Sequence, residues 1–191
     1  MKFLKSWKTR DILVLVVISL ALVVFTAVFG WLREIVVGVI GVYGHRLMSP
    51  LIILIVYMAQ YLVRRPGASI VSGIIMGLVS APFAPAGLAV FFGYMIGAVL
   101  AEASYAIGRY QNYSLPFMMT IGLIYNLIGV ALIWAPSNLG AFAFGPLVAV
   151  LAISAVAGLV GGWLIVLVGD GLRKSGALQS YLTQEEDLEI A

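Results

Sequence analysis

The sequence predicts an all-α integral membrane protein: a six-transmembrane-helix bundle with a short third helix and a long extracellular connection between helices one and two. Three observations predict it. The 191 residues are 63% hydrophobic and only 10% charged, with a mean hydropathy of +1.11, far from the balance of a water-soluble domain. Charge is absent from long stretches, between Asp11 and Arg33, between Arg65 and Glu102, and between Arg109 and Asp170. Clusters of proline, glycine and charge then cut these stretches into pieces near the roughly 20 residues that a helix needs to cross a bilayer core.

The first helix is expected over Ile12 to about Phe29. Lysines precede it as in a secretion signal, but the apolar run lasts to Leu32 without a small-residue cleavage site, which predicts a retained helix. The next segment, Gly30 to Arg46, "GWLREIVVGVIGVYGHR", mixes charge with short apolar pieces and reads as a long outer loop or a partly re-entrant segment. A second helix follows over Leu47–Val63. After "RRPG" comes a third over Ala68–Ser80, about 20 Å long and therefore tilted or sheltered by neighbours. The fourth is expected over Leu88–Gly108, the fifth over Leu115–Ala135 and the sixth over Pro146–Val168. Residues 1–178 thus form one transmembrane domain, and residues 179–191 an acidic cytoplasmic tail.

Basic residues set the orientation. With both termini in the cytoplasm, the inner segments hold Lys2, Lys5, Lys8, Arg10, Arg64, Arg65, Arg109, Arg173 and Lys174, and the outer ones only Arg33 and Arg46. Nine against two is the bias expected of a plasma-membrane protein, and it makes "RRPG" a cytoplasmic turn. Small residues recur every fourth position at Ser69, Gly73 and Gly77, at Gly93, Gly97 and Ala101, and in the pairs Ala157 with Gly161 and Gly158 with Gly162. In lipid such ridges let helix backbones approach closely, within the bundle or against a second membrane protein.

Several kinds of chemistry are excluded or disfavoured. Without cysteine there is no disulfide or thiolate, no "GxxxxGK[ST]" phosphate loop occurs, and one histidine cannot build an ordinary zinc or haem site. A net charge of +3, spread over the ends of apolar runs, gives no nucleic-acid stripe. Glu102 is the one carboxylate inside a predicted span. It either pairs with Arg109, Arg65 or headgroup water, or serves a ligand or partner. The outer half carries the other candidate ligand contacts: Trp31, Glu34, Tyr43 and His45 on the long connection, Tyr94, then Tyr125, Asn126 and Trp134, and Asn138 beyond. Aromatic rings with a few amides and one acid suit a flat heterocycle, neutral or cationic, although tryptophan and tyrosine also serve as interface anchors. Asn126 needs a hydrogen-bond partner at membrane depth in either case.

"KSW" at Lys5–Trp7, "VVISL" at Val16–Leu20, "VRRPGASIVSGII" at Val63–Ile75, "AEA" at Ala101–Ala103 and "YSLP" at Tyr113–Pro116 occur in this order along most of the chain. In them, and in its six-helix plan without an ATPase motif, the chain resembles the substrate-binding (S) components of energy-coupling-factor transporters, and more narrowly the YkoE type, associated with thiamine or its hydroxymethylpyrimidine precursor. The resemblance implies a non-enzymatic, cofactor-free receptor that captures a vitamin outside and works with a transmembrane coupling protein and two cytoplasmic ABC ATPases. The chain departs from the family where relatives carry acids at the positions of Gly73 and Ser80 and an amide near Gly97, which leaves the cargo open. The small-residue docking stripe of the first helix is poor here, Ser19 and Ala21 being followed by Val23 and Phe25. Thr26 and Gly30, with Gly93 and Gly97, are the nearest docking candidates. A structural subunit without its own ligand, or a small membrane enzyme using Glu102 or His45, are the alternative readings.

Overall fold

The structure, a computed structural model, describes residue 7 and residues 9–84, 87–134 and 144–175. Among these residues the chain is helical, without strands: α1 Thr9–Ile40, α2 Val42–Leu47, α3 Ser49–Val63, α4 Ala68–Ser80, α5 Leu88–Ile107, α6 Leu115–Trp134 and α7 Phe144–Lys174. Five helical stretches are long and apolar enough to cross a membrane, with α2 and α3 acting as one; α4 and the short 3-10 turn after it form the sixth, shorter apolar helix. This is the expected six-helix bundle with a short third member.

The connection between the first two membrane helices is long, as expected, and it is helical. α1 runs on through Trp31, Arg33 and Glu34 to Ile40, and α2 then folds back along it. No proline interrupts Gly30–Ile40, and at a bilayer face a backbone that bonds to itself avoids stranded amides, so helix is favoured over an irregular loop. At about 1.5 Å per residue, the 32 residues of α1 reach about 48 Å and outrun the hydrocarbon core, so α1 tilts or its last turns leave it. Gly41, with φ of 60°, makes the corner. Gly44 lets α2 lie on α1, because a Cβ there would sit 2.6 Å from the Val36 carbonyl oxygen.

Successive membrane helices reverse direction, and α3 occupies the centre, with Ile53 to Ile55 and Tyr57 to Val63 all buried. α7 lies along both α6 and α3, while α4 fits between α1 and α5. The small residues sit in these seams. A Cβ at Gly158 would meet the Gly122 carbonyl oxygen and the Leu123 Cα, each at 2.7 Å, and one at Gly162 would come within 2.5 Å of the Met119 Cα. A Cβ at Gly161 would touch Ile53 of α3, one at Gly73 the Ala98 side chain of α5, and one at Gly77 Phe91. Ser19, on the expected docking stripe of α1, is wholly buried and donates to the Ser72 hydroxyl of α4 at 2.9 Å. These ridges are packed inside the bundle.

The "RRPG" turn closes one end. Arg64 caps α3 in the left-handed region, and Gly67, with φ of 88°, opens α4 in a conformation that glycine adopts without a Cβ penalty. The Arg64 guanidinium lies 4.3 Å from the Tyr113 ring centre. Arg65 pairs with the buried Asp11 of α1 at 3.6 Å. The Gln60 side-chain oxygen accepts the Ser69 amide, and the Tyr61 hydroxyl donates to Asp170 of α7 at 2.8 Å.

Candidate functional site

At the opposite end the helices part around a cavity of about 320 Å³. α1 contributes Thr26, Phe29, Gly30 and Arg33, spaced three and four apart on one face. Met48, just before α3, and Leu51, Ile52, Ile55 and Val56 of α3 follow with the same spacing, α5 adds Val90, Gly93 and Tyr94, and Tyr125 of α6 closes the far side. Nothing lies within 4 Å of where a Cβ would stand at Gly30 or Gly93. The absent side chains of these two glycines therefore help to make the room.

Most of the wall is aliphatic, Phe29, Tyr94 and Tyr125 bring aromatic rings, and among the described residues Arg33 is the one charged member of the lining. Arg33 donates from Nη1 to the neighbouring Glu34 carboxylate at 2.9 Å, while its Nε is buried without an acceptor. The Thr26 hydroxyl is turned back onto the Leu22 carbonyl at 2.7 Å. From Tyr125 a file of ring contacts runs through Tyr57, Tyr105 and Tyr113 toward the "RRPG" end, with centroids 5.5 to 5.6 Å apart. A second groove of about 430 Å³, between the start of α3 and α7, is lined by Leu47, Pro50, Ala152, Ile153, Val156, Ala157 and Val160 and offers no orienting polar side chain.

Of the residues singled out as ligand contacts, the structure brings Tyr94 and Tyr125 to this cavity. Three expected docking residues, Thr26, Gly30 and Gly93, line it as well. Gly97 is buried against Tyr125 and Val56, which takes it off any docking face. Trp31 is 80% exposed on the outside of α1, and Glu34 is likewise exposed beside Arg33. Tyr43 and His45 are half-buried on α2, outside the cavity lining. The Trp134 side chain and Asn138 lie outside the described residues.

Two polar residues prove to be braces instead. Asn126, 3% exposed, donates its amide to the Ser49 hydroxyl at 2.7 Å and the Ser154 carbonyl at 2.8 Å. It joins α3, α6 and α7, which is the partner that an amide at this depth requires. Glu102 lies at the "RRPG" end, where one oxygen accepts the Gly67 amide at 2.6 Å and the Tyr110 hydroxyl at 2.8 Å. The expected pairing with Arg109 or Arg65 is replaced by a cap on the α4 N-terminus, where exposed amides favour an anion. Burial and this carboxylate push the Tyr110 hydroxyl up to about 12.

Sequence reasoning missed Phe29, Arg33 and the α3 face. The signal was present as helical spacing, but it is readable only once α1 is allowed to continue past Phe29. It also missed that Arg46, counted as a loop arginine, is 3% exposed and reaches the Gly129 carbonyl at 3.4 Å.

Comparison with known proteins follows the same outline. Residues 10–128 match the family described as the permease component of the ABC-type cobalt transport system. A Bacillus subtilis (strain 168) protein provisionally named HMP/thiamine permease protein YkoE is 29% identical over 185 residues, covering 96% of this chain and 93% of its own length. A solved structure described as an S-component of an ECF transporter superposes with a TM-score of 0.79 at 28% identity, over 97% of this chain and 99% of that one. A multi-pass helical bundle, a largely aliphatic cavity with three aromatic rings toward one end and these likenesses converge: the chain belongs to the family of ABC-type cobalt transport permease components, and within it is a YkoE-like S component of an energy-coupling-factor transporter.

Proposed function

We propose that the chain is the non-enzymatic receptor of an ATP-driven vitamin importer, and that it captures hydroxymethylpyrimidine, thiamine or a related heterocycle from outside the cell. Residues 1–178 are the substrate-binding domain and 179–191 a cytoplasmic tail. The observation that carries this reading is the cavity of about 320 Å³ with Phe29, Tyr94 and Tyr125 in its wall, a size and a mix of apolar and aromatic surface suited to one small ring system. Among the described residues the wall offers a divalent metal no carboxylate, imidazole or thiolate ligand; this favours an organic cargo despite the cobalt in the family description. The "RRPG" end, with Arg10, Arg64, Arg65, Arg109, Arg173 and Lys174 near it, faces the cytoplasm by the positive-inside rule, and both termini lie there. A transmembrane coupling protein and two cytoplasmic ABC ATPases supply the transport step.

The test is thermal unfolding of the purified protein in detergent against a panel of vitamins and precursors. A ligand at a thousandfold excess over its Kd stabilises the fold by about 4 kcal/mol, so the cognate ligand gives a large upward shift. Alanine at Tyr94 or Tyr125 should weaken it at least tenfold. A panel that leaves the melting temperature unmoved would favour a structural subunit without a ligand of its own.

A further inference from the structure

We infer that the Tyr125 hydroxyl is the hydrogen-bond donor that meets the edge of the cargo ring at the floor of the cavity, and that Gly97 is the positioning residue that keeps it aimed there. The inference rests on the importer reading and deepens it: the edge of the heterocycle that goes in deepest carries an acceptor, an unprotonated ring nitrogen.

Tyr125 stands midway along α6 and lines the cavity. Its hydroxyl forms no hydrogen bond with any residue, yet it is not among the polar atoms sealed inside the protein. The oxygen lies beside Val56, itself part of the wall, and next to Gly97 of α5, so the surface it keeps is turned to the cavity. A phenol is a better donor than acceptor, and a donor in an apolar wall discriminates against any ligand that leaves it unmet. The other polar groups of the lining are less available. Thr26 donates to the Leu22 carbonyl, and Arg33 is engaged by Glu34. The Tyr94 hydroxyl is also without a partner, but Tyr94 sits in the second turn of α5, nearer the outer end, where water can serve it.

Two supports fix the aim of the hydroxyl. The Tyr125 ring meets the wholly buried Tyr57 edge-on, with centroids 5.5 Å apart and planes at 88°. Tyr57 is itself held, its hydroxyl 3.0 Å from that of Ser104 and its carbonyl accepting the Tyr105 hydroxyl at 3.1 Å. At the tip of the ring, a Cβ at Gly97 would stand 3.3 Å from the Tyr125 oxygen and 3.4 Å from Val56, inside the optimal separation of unbonded atoms. The hydroxyl, at the free end of its ring, is the partner that would yield. Gly97 therefore leaves room for the hydroxyl as Gly30 and Gly93 leave room for the ligand.

The experiment titrates the purified full-length protein with two probes: hydroxymethylpyrimidine, and its benzene analogue, which keeps the methyl, amino and hydroxymethyl groups but has CH in place of both ring nitrogens. The unaltered protein should prefer the pyrimidine at least about tenfold. Tyr125→Phe, which keeps the ring, should weaken the pyrimidine about tenfold and the benzene analogue less than about threefold. Gly97→Ala should weaken the pyrimidine about fivefold alone and cause no further loss on top of Tyr125→Phe, where there is no oxygen to displace. Tyr94→Phe should cost less than Tyr125→Phe, and the melting point of each free protein checks folding. Equal losses on both probes in Tyr125→Phe would overturn the inference by making the hydroxyl a packing element. So would a Gly97→Ala loss that simply adds to that of Tyr125→Phe, or a larger loss in Tyr94→Phe. If the pyrimidine does not bind the unaltered protein, the importer reading for this cargo falls and the inference falls with it. A pyrimidine that binds no better than its benzene analogue leaves the importer reading standing and overturns the hydrogen bond alone.

Discussion

The two ends of the bundle differ in how their helices are joined. At the "RRPG" end, Asp11 reaches Arg65, Glu102 caps α4, Tyr61 holds Asp170 and Gln60 takes the Ser69 amide, so side chains tie α1, α3, α4, α5 and α7 together. At the cavity end, the flank toward α6 and α7 is braced by Asn126, but α1, α3 and α5 stand apart around empty space. The contrast shows how a small membrane domain, which gains little from hiding apolar surface from lipid, can keep an open binding site. One end fixes the register of the helices so that the other need not close. Four substitutions break or sharpen the comparison.

The largest effect is expected at the glycine seam on the tied side. In Gly162→Ala the new Cβ meets backbone of Met118 and Met119, which cannot swing away as a side-chain tip would, so α6 and α7 must separate. Overpacking of this kind costs about 3 kcal/mol, visible as a lowered denaturation midpoint in detergent. Unaltered stability would mean that the two backbones are not in close approach. Next comes Glu102→Ala, which strands the Gly67 amide and the Tyr110 hydroxyl and should remove about 2 kcal/mol, as expected for hydrogen bonds to a charged group. Ligand affinity should hold, because Glu102 is outside the cavity lining; a variant that melts normally but binds poorly would reassign Glu102 to the ligand.

Asn126→Ala sits at the boundary of the two regions. Hydrogen bonds within membranes are worth about 1 kcal/mol, so a modest loss of stability is expected with affinity changed less than threefold, read by titration of the same ligand. A tenfold loss of affinity would return Asn126 to the binding surface, where sequence reasoning had put it.

What was legible in the sequence follows from which forces are local. The spans, the short α4 and the "RRPG" turn came from apolar run length, proline and the arginine bias, each a property of adjacent residues. Tyr94 and Tyr125 were readable as aromatics at the right depth. The reach of α1 past Phe29 was not, because charges at Arg33 and Glu34 look like a loop when the bilayer's demand for a self-bonded backbone is left out. The role of Asn126 was hidden for another reason. Its partners, Ser49 and Ser154, are 77 and 28 residues away, and no spacing rule connects an amide with hydroxyls and carbonyls on other helices. Glu102 was misread by proximity, since Arg109 is near in sequence while Gly67, across a turn of another helix, is near in space.

The smallest effect, opposite in sign, belongs to the cavity wall. In Gly30→Ala nothing stands within 4 Å of the new Cβ, so the methyl meets no resistance, and replacing a mid-helix glycine removes the backbone freedom that weakens a helix. The free protein should gain about 0.5 kcal/mol, where the same change at Gly162 is destabilising. The methyl also takes space that the ligand would use, so the ligand-induced rise in melting temperature should shrink even as the free protein becomes slightly more stable. Stability and binding then move in opposite directions at one residue, which is how a cavity kept open for a ligand differs from a packing defect. If Gly30→Ala instead lowered the melting point of the free protein, α1 would have to rest against a neighbour there, and the gap between α1, α3 and α5 would not exist.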